Sequence, residues 1–291
     1  MSARSANPSA DRFVRIRARA AAESGEIAGA EAWAAGASGI EECADGTLVI
    51  YAPDACGDGV REALVACLGA AAVDASEPVP VADWPELWKQ GLRPLVVSER
   101  LVVRPPFAAS PVRRGQRQLV IEPRQAFGTG AHATTALALA ALDAAHASLA
   151  GARVLDVGCG SGVLALAALA LGARAAVACD LDPIAARETR ENAHANRLAK
   201  RLVVFTGSVA AVAPVAFDLV VANMIRRELL PLLGELTACV GGAGRLVLSG
   251  LLVSEQGLME AALASAGLRI VATRSEADAS GDRWLAFTTT R

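Results

Sequence analysis

The order of apolar and polar segments along the chain divides it into two parts near residue 80. From Asp11 to about Val81 the pattern predicts strand, helix, strand, strand, helix and strand, in RFVRIRARA, ESGEIAGAEAWAAGA, GIEECAD, GTLVIYAP, GDGVREALVACLG and AAVDASEP. This βαββαβ order is typical of a ferredoxin-like domain. The turn ADGT between the middle strands supplies the Asp-Gly pair that a β-hairpin favours.

A proline-containing segment, residues 81–116, follows and is predicted to be a linker. It contains VADWPELWKQGLRPLVVSERLVVRPPF, in which four prolines would break any long helix. Trp84 and Trp88 have helical spacing. They either dock the linker on a domain or contact a partner protein.

From residue 117 to residue 291 the predicted strands and helices alternate, which is the pattern of a parallel sheet covered on both faces. The last two strands, RIVATRSE and WLAFTTT, are separated by a polar turn, so we expect them to pair antiparallel at one edge. That ending distinguishes the seven-stranded methyltransferase version of the doubly wound fold from the dinucleotide version. The sequence therefore predicts a Rossmann-like α/β domain over 117–291 and a small α+β domain over 11–80.

The candidate chemistry begins at VLDVGCGSG, where a strand of buried type turns through three glycines into a helix. Glycines permit the sharp turn and allow a ligand to approach the first amides of the helix, which suit an anion. A dinucleotide fingerprint requires Gly or Ala at position 163, where this chain has Val163. The spacing D-x-G-x-G-x-G therefore argues against a dinucleotide.

Asp180 ends the next strand, 22 residues after Gly158. A carboxylate at that point can accept hydrogen bonds from both ribose hydroxyls of an adenosyl group. Together these features favour S-adenosylmethionine as the cofactor, held by Gly158, Gly160 and Asp180. The alternative is that Asp180 only caps the following helix, although Asp182 and Pro183 already supply a cap and a first turn.

Asn223 ends the strand FDLVVAN at the carboxyl edge of the sheet, where ligands of open α/β folds bind. Its side-chain oxygen can accept N–H bonds from an incoming amine and orient the lone pair, so Asn223 is the candidate catalytic residue. A turn residue at a strand end is the alternative. Enzymes that methylate amino groups of nucleic-acid bases have Asn-Pro-Pro-aromatic here, whereas this chain has Asn-Met-Ile-Arg. A stacked base, and thus a direct nucleic-acid substrate, is not expected.

Composition and charge further restrict the kind of protein and the partners that the sequence predicts. Hydrophobic residues make up 53% of the chain and charged residues 20%, which indicates a globular protein. The formal net charge of −2 gives no overall attraction to nucleic acid or to an anionic membrane. Six cysteines without a C-x-x-C pair indicate a reducing compartment, which we take to be the cytoplasm, and no metal site is expected. The arginine- and serine-rich opening resembles a transit peptide, but a predicted strand follows it closely.

Several segments together resemble one family of enzymes. They are DWPELWKQGLRPLVVSERLVVRPPF, FGTGAHATT, VLDVGCGSGVLALAALALGA, CDLDPIA, VVANM and GRLVLSGLL, and from about Phe13 onward the chain resembles the ribosomal protein L11 methyltransferase family. The resemblance implies methylation of lysine and other amino groups on a large-subunit ribosomal protein, with S-adenosylmethionine as donor. By position it implies cofactor contacts at Thr135, Gly158, Asp180 and Asn223.

The segment FGTGAHATT is then predicted to be a flap over the methionyl end of the cofactor. Gly128 and Gly130 would allow it to move, and Thr135 would begin the next helix and contact the ligand. The plainer interpretation makes Thr134 an ordinary N-cap and His132 a surface residue. The family usually has Thr and Pro where this chain has alanine within the loop, and Asn-Ile-Leu where it has Asn-Met-Ile.

Three other functions stay open at this point. One is methylation of a different protein lysine, such as one on an electron-transfer flavoprotein subunit; the N-terminal domain and its linker favour the ribosomal target instead. An NAD-dependent oxidoreductase is disfavoured by Val163 and by the lack of a catalytic Tyr/Lys or His constellation. A catalytically silent binding module is disfavoured because Thr135, Asp180 and Asn223 are all present.

Overall fold

The computed structural model describes residues 13–20, 22–43, 46–79, 93–123, 132–212, 216–278 and 281–291. The chain divides into two compact units, Met1–Gly91 and Leu92–Arg291. Trp84 and Trp88 lie outside the described residues.

The first unit is a four-stranded sheet with two helices. Its elements, in chain order, are β1 (Phe13–Arg19), α1 (Ala22–Ala34), β2 (Gly39–Glu42), β3 (Thr47–Pro53), α2 (Asp54–Leu68) and β4 (Glu77–Val79). The strand order is β2-β3-β1-β4, and neighbouring strands pair antiparallel. Alternate residues of β1, namely Val14, Ile16 and Ala18, are buried, as a sheet with one covered face requires.

The helix α2 packs closely on β1. A Cβ atom at Gly57 would lie 2.5 Å from Cγ2 of Val14, so only glycine permits this approach. The helix begins at Asp54 and not at Gly57 as the sequence pattern suggested. Pro53 occupies the N-cap position, and Asp54 in the first turn lies favourably at the positive end of the helix dipole.

The second unit begins with a small three-stranded sheet. Its strands are β5 (Leu95–Val96), β6 (Leu101–Arg104) and β7 (Arg117–Val120). The strand β6 pairs antiparallel with β5 and parallel with β7. Leu101, Val103 and Leu119 are buried in the core of this unit.

The segment 93–116 therefore differs from the linker predicted over 81–116. Prolines exclude a long helix, but they do not prevent short strands between them. Polar contacts also fix the segment: the Arg100 guanidinium donates to both carboxylate oxygens of Asp143, at 2.6 and 3.0 Å, and the Ser98 hydroxyl donates to the same carboxylate at 2.8 Å. Burial tends to raise the pKa of Asp143, but these hydrogen bonds outweigh it and lower the pKa.

The main sheet of the second unit has seven strands in the order β10-β9-β8-β11-β12-β14-β13. They are β8 (Arg153–Val157), β9 (Ala175–Asp180), β10 (Leu202–Thr206), β11 (Phe217–Asn223), β12 (Val240–Leu252), β13 (Arg269–Ala277) and β14 (Arg283–Thr290). The five neighbouring strands β10, β9, β8, β11 and β12 are parallel to one another, whereas β14 runs antiparallel to both of its neighbours. The expected antiparallel pairing of the last two strands is confirmed.

Helices cover this sheet and enclose two clusters of buried residues. They are α3 (Ala133–Ala144), α4 (His146–Leu149), α5 (Val163–Ala170), α6 (Pro183–Ala195), α7 (Arg226–Cys239) and α8 (Gln256–Ser265). One cluster contains most of the buried residues of α3 and α5, and the other contains the buried residues of α7 and α8. This is a Rossmann-like α/β fold. Across the described ranges, no helix has the length and apolar character that a membrane span needs.

Candidate active site

A cavity of about 800 Å³ lies at the carboxyl ends of β8, β9 and β11. This is the edge at which open α/β sheets bind their ligands. All five residues that the sequence marked as site residues line it, namely Thr135, Gly158, Gly160, Asp180 and Asn223. The fold therefore brings together residues that are separated by up to 88 positions in the chain.

The glycine loop, residues 158–162, forms one wall of the cavity. Gly158, Gly160 and Gly162 have φ angles of +70°, +52° and +79°, which side chains other than glycine rarely adopt. A Cβ atom at Gly162 would also lie 2.7 Å from Thr189. The Thr189 hydroxyl donates to the Gly160 carbonyl at 2.8 Å, so α6 holds the loop in this shape.

Asp180 connects the glycine loop to the end of β9. Its Oδ2 accepts the backbone N–H of Gly160 at 2.9 Å, and its Oδ1 accepts that of Asp182 at 3.0 Å. A carboxylate has about four acceptor positions, so both oxygens retain the capacity to accept further hydrogen bonds. Asp182 is the N-cap of α6 and accepts from Ile184 at 2.8 Å, as its sequence position suggested.

Asp156 lies below the glycine loop and is fully buried. Its Oδ2 accepts the backbone N–H of Ala165 in the first turn of α5 at 2.9 Å. Its Oδ1 is buried and, among the residues that the structure describes, has no hydrogen-bond partner. Burial is the main cause that raises the pKa of Asp156 to about 7.

Thr135 and Asn223 meet on another part of the cavity wall. The Asn223 amide Nδ2 donates to the Thr135 hydroxyl at 3.3 Å. Asn223 Oδ1 is buried and lacks a partner within the described part of the chain. The Ser249 hydroxyl of β12 donates to the Thr134 carbonyl at 2.8 Å and fixes the start of α3 against the sheet. A free acceptor is thus held rigidly in the cavity wall.

The helix α3 begins at Ala133, and His132 rather than Thr134 is its N-cap. Its Nδ1 accepts the Thr134 N–H at 3.3 Å, which leaves Thr135 within the first turn instead of at the start of the helix. The His132 ring also packs edge-on against Trp284, with 5.0 Å between ring centroids. Trp284 in turn donates its Nε1–H to Asp278 at 2.6 Å. His132 therefore contributes to the cavity wall and is not simply a surface residue.

The charged side chains in the cavity wall are acidic. Asp180, Asp182 and Glu228 line the cavity, and none of the described lining residues is an arginine or a lysine. Such a cavity favours ligands that carry positive charge. No cluster of potential metal ligands occurs among the described residues.

Part of the predicted flap lies outside the described residues, including Phe127, Gly128 and Gly130. Sequence reasoning did not identify Trp284, Glu228 or Gly250 as residues of the cavity wall. Gly250 has one detectable signal in the sequence, since it is the glycine that ends the apolar segment GRLVLSG. In the structure, a Cβ atom there would lie 2.5 Å from the Met224 carbonyl oxygen. Trp284 and Glu228 have no local signal, because only packing brings their elements to the cavity.

Comparison with known proteins adds independent information. The family model described as "Ribosomal protein L11 methyltransferase (PrmA)" matches residues 62–291. A protein named ribosomal protein L11 methyltransferase from Geobacter sp. (strain M21) is 43% identical over 187 residues, which cover 63% of this chain and 61% of that protein. A protein of the same name from Sorangium cellulosum (strain So ce56) is 42% identical over 219 residues, which cover 70% of this chain and 69% of that one.

A solved structure is similar as well. The crystal structure of ribosomal protein L11 methylase from Lactobacillus delbrueckii subsp. bulgaricus is 30% identical, with a TM-score of 0.61 over 68% of this chain and 98% of that chain. Of the two sequence relatives, the Geobacter protein is matched over less than two thirds of its own length.

Proposed function

The chain belongs to the ribosomal protein L11 methyltransferase family, and from that premise we propose that it transfers methyl groups from S-adenosylmethionine to amino groups of that ribosomal protein. The single observation that carries this proposal is that Asn223 lines the cavity and its buried Oδ1 accepts no hydrogen bond from any described residue. A buried acceptor without a partner is costly, so it is expected to meet a donor when the site is filled.

The cavity suits the cofactor in shape and charge. S-adenosylmethionine, when bound, supplies an electrophilic methyl group on a positively charged sulfur. The glycines of the glycine loop leave room for a ligand against the start of α5, and Asp180 can accept hydrogen bonds from ribose hydroxyls. Ser208 also lines the cavity, but its hydroxyl already accepts the Ala210 N–H at 3.3 Å. Val163 continues to argue against a dinucleotide.

Asn223 acts on the substrate amine. Its Oδ1 accepts an N–H of the neutral amine and so directs the lone pair towards the methyl group. The bond from its Nδ2 to Thr135 fixes the amide plane, so that the oxygen cannot rotate away. The ammonium form must lose its proton first, and an apolar mouth formed by Met224, Ile225 and Leu232 lowers its pKa by disfavouring the charged form. A separate general base is then unnecessary.

The first unit recognises the protein substrate. Its βαββαβ order and four-stranded antiparallel sheet are those of a ferredoxin-like domain. The polypeptide core of the second unit is complete without it, since the residues of both buried clusters of that unit come from Leu95 onward. We therefore assign cofactor binding and methyl transfer to residues 92–291, and partner recognition to the first unit.

Intact-mass analysis tests the function directly. The full chain, S-adenosylmethionine and purified ribosomal protein L11 are incubated together, and the mass of the ribosomal protein is followed over time. We expect stepwise mass increases of one methyl group each, and almost none with the Asn223→Ala variant. An unchanged mass with a folded, cofactor-binding enzyme would overturn the substrate assignment and favour another protein lysine.

A truncated chain that begins at Leu92 tests the division of labour. It keeps the strand β5 and the contacts of Ser98 and Arg100 with Asp143, all of which a start at Leu101 would remove. We expect it to bind S-adenosylmethionine with the affinity of the full chain and to leave the ribosomal protein unmethylated. Methylation at the full rate would show that the first unit is not the recognition element.

A further inference from the structure

Asp156 is a buried carboxyl group that the proposed methyl transfer does not use. It lies in the middle of the main sheet, next to Ala178 of β9 and Val221 of β11. Its exposed fraction is 0%, and within the ranges that the structure describes only one of its two oxygens has a hydrogen-bond partner. The next two residues of the chain, Val157 and Gly158, line the cavity. Asp156 itself does not line the cavity, but its neighbours in the chain do, and its partner in the pKa shift, Asp180, is also a lining residue.

The Ala165 N–H favours the ionised form of Asp156, but burial outweighs it, and no cationic side chain is among the groups that shift its pKa. From β9 come Asp180 and the Cys179 thiol, and from the glycine loop comes the Cys159 thiol. Burial is the main cause that raises the pKa of both thiols, so they stay uncharged. The helix α5 contains no titratable residue, and β11 contains only Asp218, near its opposite end.

The state of this carboxyl therefore depends on what occupies the adjoining cavity. Without a nearby cation, burial and Asp180 both favour the protonated form, and the pKa of Asp156 is raised to about 7. A cation in the cavity favours the ionised form. S-adenosylmethionine has a carboxylate, an ammonium group and a sulfonium, whereas its product S-adenosylhomocysteine has a neutral thioether in place of the sulfonium. The two ligands thus differ by one positive charge.

We propose that Asp156 links cofactor binding to proton release, so that the cavity distinguishes the sulfonium cofactor from its neutral-sulfur product. This inference rests on the proposed function, since it requires that cofactor. On binding of S-adenosylmethionine, the carboxyl loses its proton to the solvent and the resulting carboxylate faces the cation. Methyl transfer moves the positive charge from the sulfur to the amine nitrogen, and once the methylated amine has left, only the neutral thioether remains and Asp156 takes up a proton again. The attraction is then lost, which favours product release.

Calorimetric titration of the full chain tests this linkage. S-adenosylmethionine and S-adenosylhomocysteine are titrated separately between about pH 5.5 and about pH 7.5, below the usual pKa of an α-amino group. Each titration is repeated in two buffers of different ionisation enthalpy, which reports the protons released. We expect net proton release with S-adenosylmethionine and less with the product. The ratio of the two affinities should rise threefold or more over this range, since each unit by which a ligand lowers a pKa is worth about tenfold.

The Asp156→Asn variant assigns the effect to this residue. Its amide oxygen still accepts the Ala165 N–H, but the group cannot ionise, so the affinity ratio should become independent of pH. Asp218→Asn is the matched control, because Asp218 is an exposed carboxylate at the opposite edge of the sheet that accepts the Arg153 N–H. It should retain the pH dependence of the parent chain.

The possible outcomes distinguish a failure of the Asp156 proposal from a failure of the cofactor proposal. A ratio that is flat with pH in the parent chain, with no proton release, overturns the linkage and leaves the methyltransferase proposal intact. A pH dependence that persists in Asp156→Asn shows that another group carries it, and also overturns the assignment. If neither ligand binds at any pH, the cofactor proposal itself fails. The parent chain alone decides the first question, even if the variant does not fold.

Discussion

The glycine-loop side of the cavity and its Thr135–Asn223 side hold their polar groups in different ways. On the first side, Asp180 accepts the backbone N–H groups of Gly160 and Asp182, which lie 20 and 2 residues away in the chain. On the second side, one hydrogen bond joins the side chains of Thr135 and Asn223, 88 residues apart, and Asn223 Oδ1 has no partner among the residues described. Each Asp180 oxygen therefore already accepts one hydrogen bond from the chain and can accept another, whereas Asn223 Oδ1 accepts none from the described residues.

This difference indicates a division of roles between the two sides. Groups held by main chain change little on binding, which suits affinity and orientation of a cofactor. An unsatisfied side-chain acceptor contributes most when the reacting amine arrives, which suits the chemical step. Substitutions on the glycine-loop side should therefore change cofactor affinity, and substitutions on the other side should change rate.

The largest effect is expected on the glycine-loop side, where Asp156 should make the free energy of unfolding depend on pH. The pKa of Asp156 is raised from its usual 3.8 to about 7 in the folded chain, so the folded state binds the proton more tightly than the unfolded state. The free energy of unfolding should therefore fall as pH rises from about 4 to about 7, by up to about 4 kcal/mol from this group.

Chemical denaturation at several pH values measures this effect. The comparison is the difference in unfolding free energy between the parent chain and Asp156→Asn, in which the contributions of other groups cancel. We expect that difference to change steadily with pH up to about 7 and then level off. A difference that does not vary with pH would mean that Asp156 is ionised in the folded chain at all these values.

The next effect in size is on the rate at the Thr135–Asn223 side. Asn223→Ala should lower the single-turnover methylation rate by about 10²-fold, because a misplaced amine costs about that much. Its affinity for S-adenosylmethionine should fall far less, since Gly158 and Asp180 remain. Thr135→Ser is the matched variant: it keeps the hydroxyl that accepts the Asn223 N–H and should retain most of the rate. A large loss of affinity with an unchanged rate would reverse the assignment of roles.

Substitution of Asp180 should lower cofactor affinity and leave the rate of methyl transfer nearly unchanged, the reverse of the effect at Asn223. Asp180→Ala removes the acceptor for the ribose hydroxyls and for two backbone N–H groups, so cofactor affinity should fall by about 30-fold, or about 2 kcal/mol. At saturating cofactor, the rate of methyl transfer should remain within a few-fold of the parent. Calorimetry measures the affinity, and Asp218→Ala is the control at the far edge of the sheet. An unaltered affinity would remove Asp180 from the cofactor site.

The smallest effect is expected at the N-cap of α3. His132→Ala removes the ring nitrogen that accepts the Thr134 N–H and the contact with Trp284, so thermal unfolding should report a loss of about 1 kcal/mol. His132→Asp restores a capping acceptor but not the aromatic contact and should recover part of the loss. Equal stability of all three proteins would mean that Ser249 alone fixes this end of the helix.

Much of the glycine-loop side could be predicted from the sequence. A short segment contains the strand, the three glycines and Asp180 at fixed spacing. That spacing places the turn, the helix start and the carboxylate around one ligand, so it could be interpreted without knowledge of the rest of the fold. The position of Asn223 at the end of a strand was also readable, because parallel strands end at one edge. The three-stranded sheet of β5, β6 and β7 could not be predicted, because β5 and β6 have only two and four residues and prolines surround them.

The sequence by itself determined the elements and the local turns, because hydrophobic period, glycine and proline act on neighbouring residues. Only the tertiary structure decided that Asn223 donates to Thr135 and that Asp156 is fully buried. It also decided that, in the described part of the chain, Asn223 Oδ1 lacks a partner and the charged lining residues of the cavity are acidic. The physical reason is that burial and long-range pairing depend on how the elements pack. Hydrogen bonding capacity is a property of a residue, but whether it is satisfied is a property of the fold.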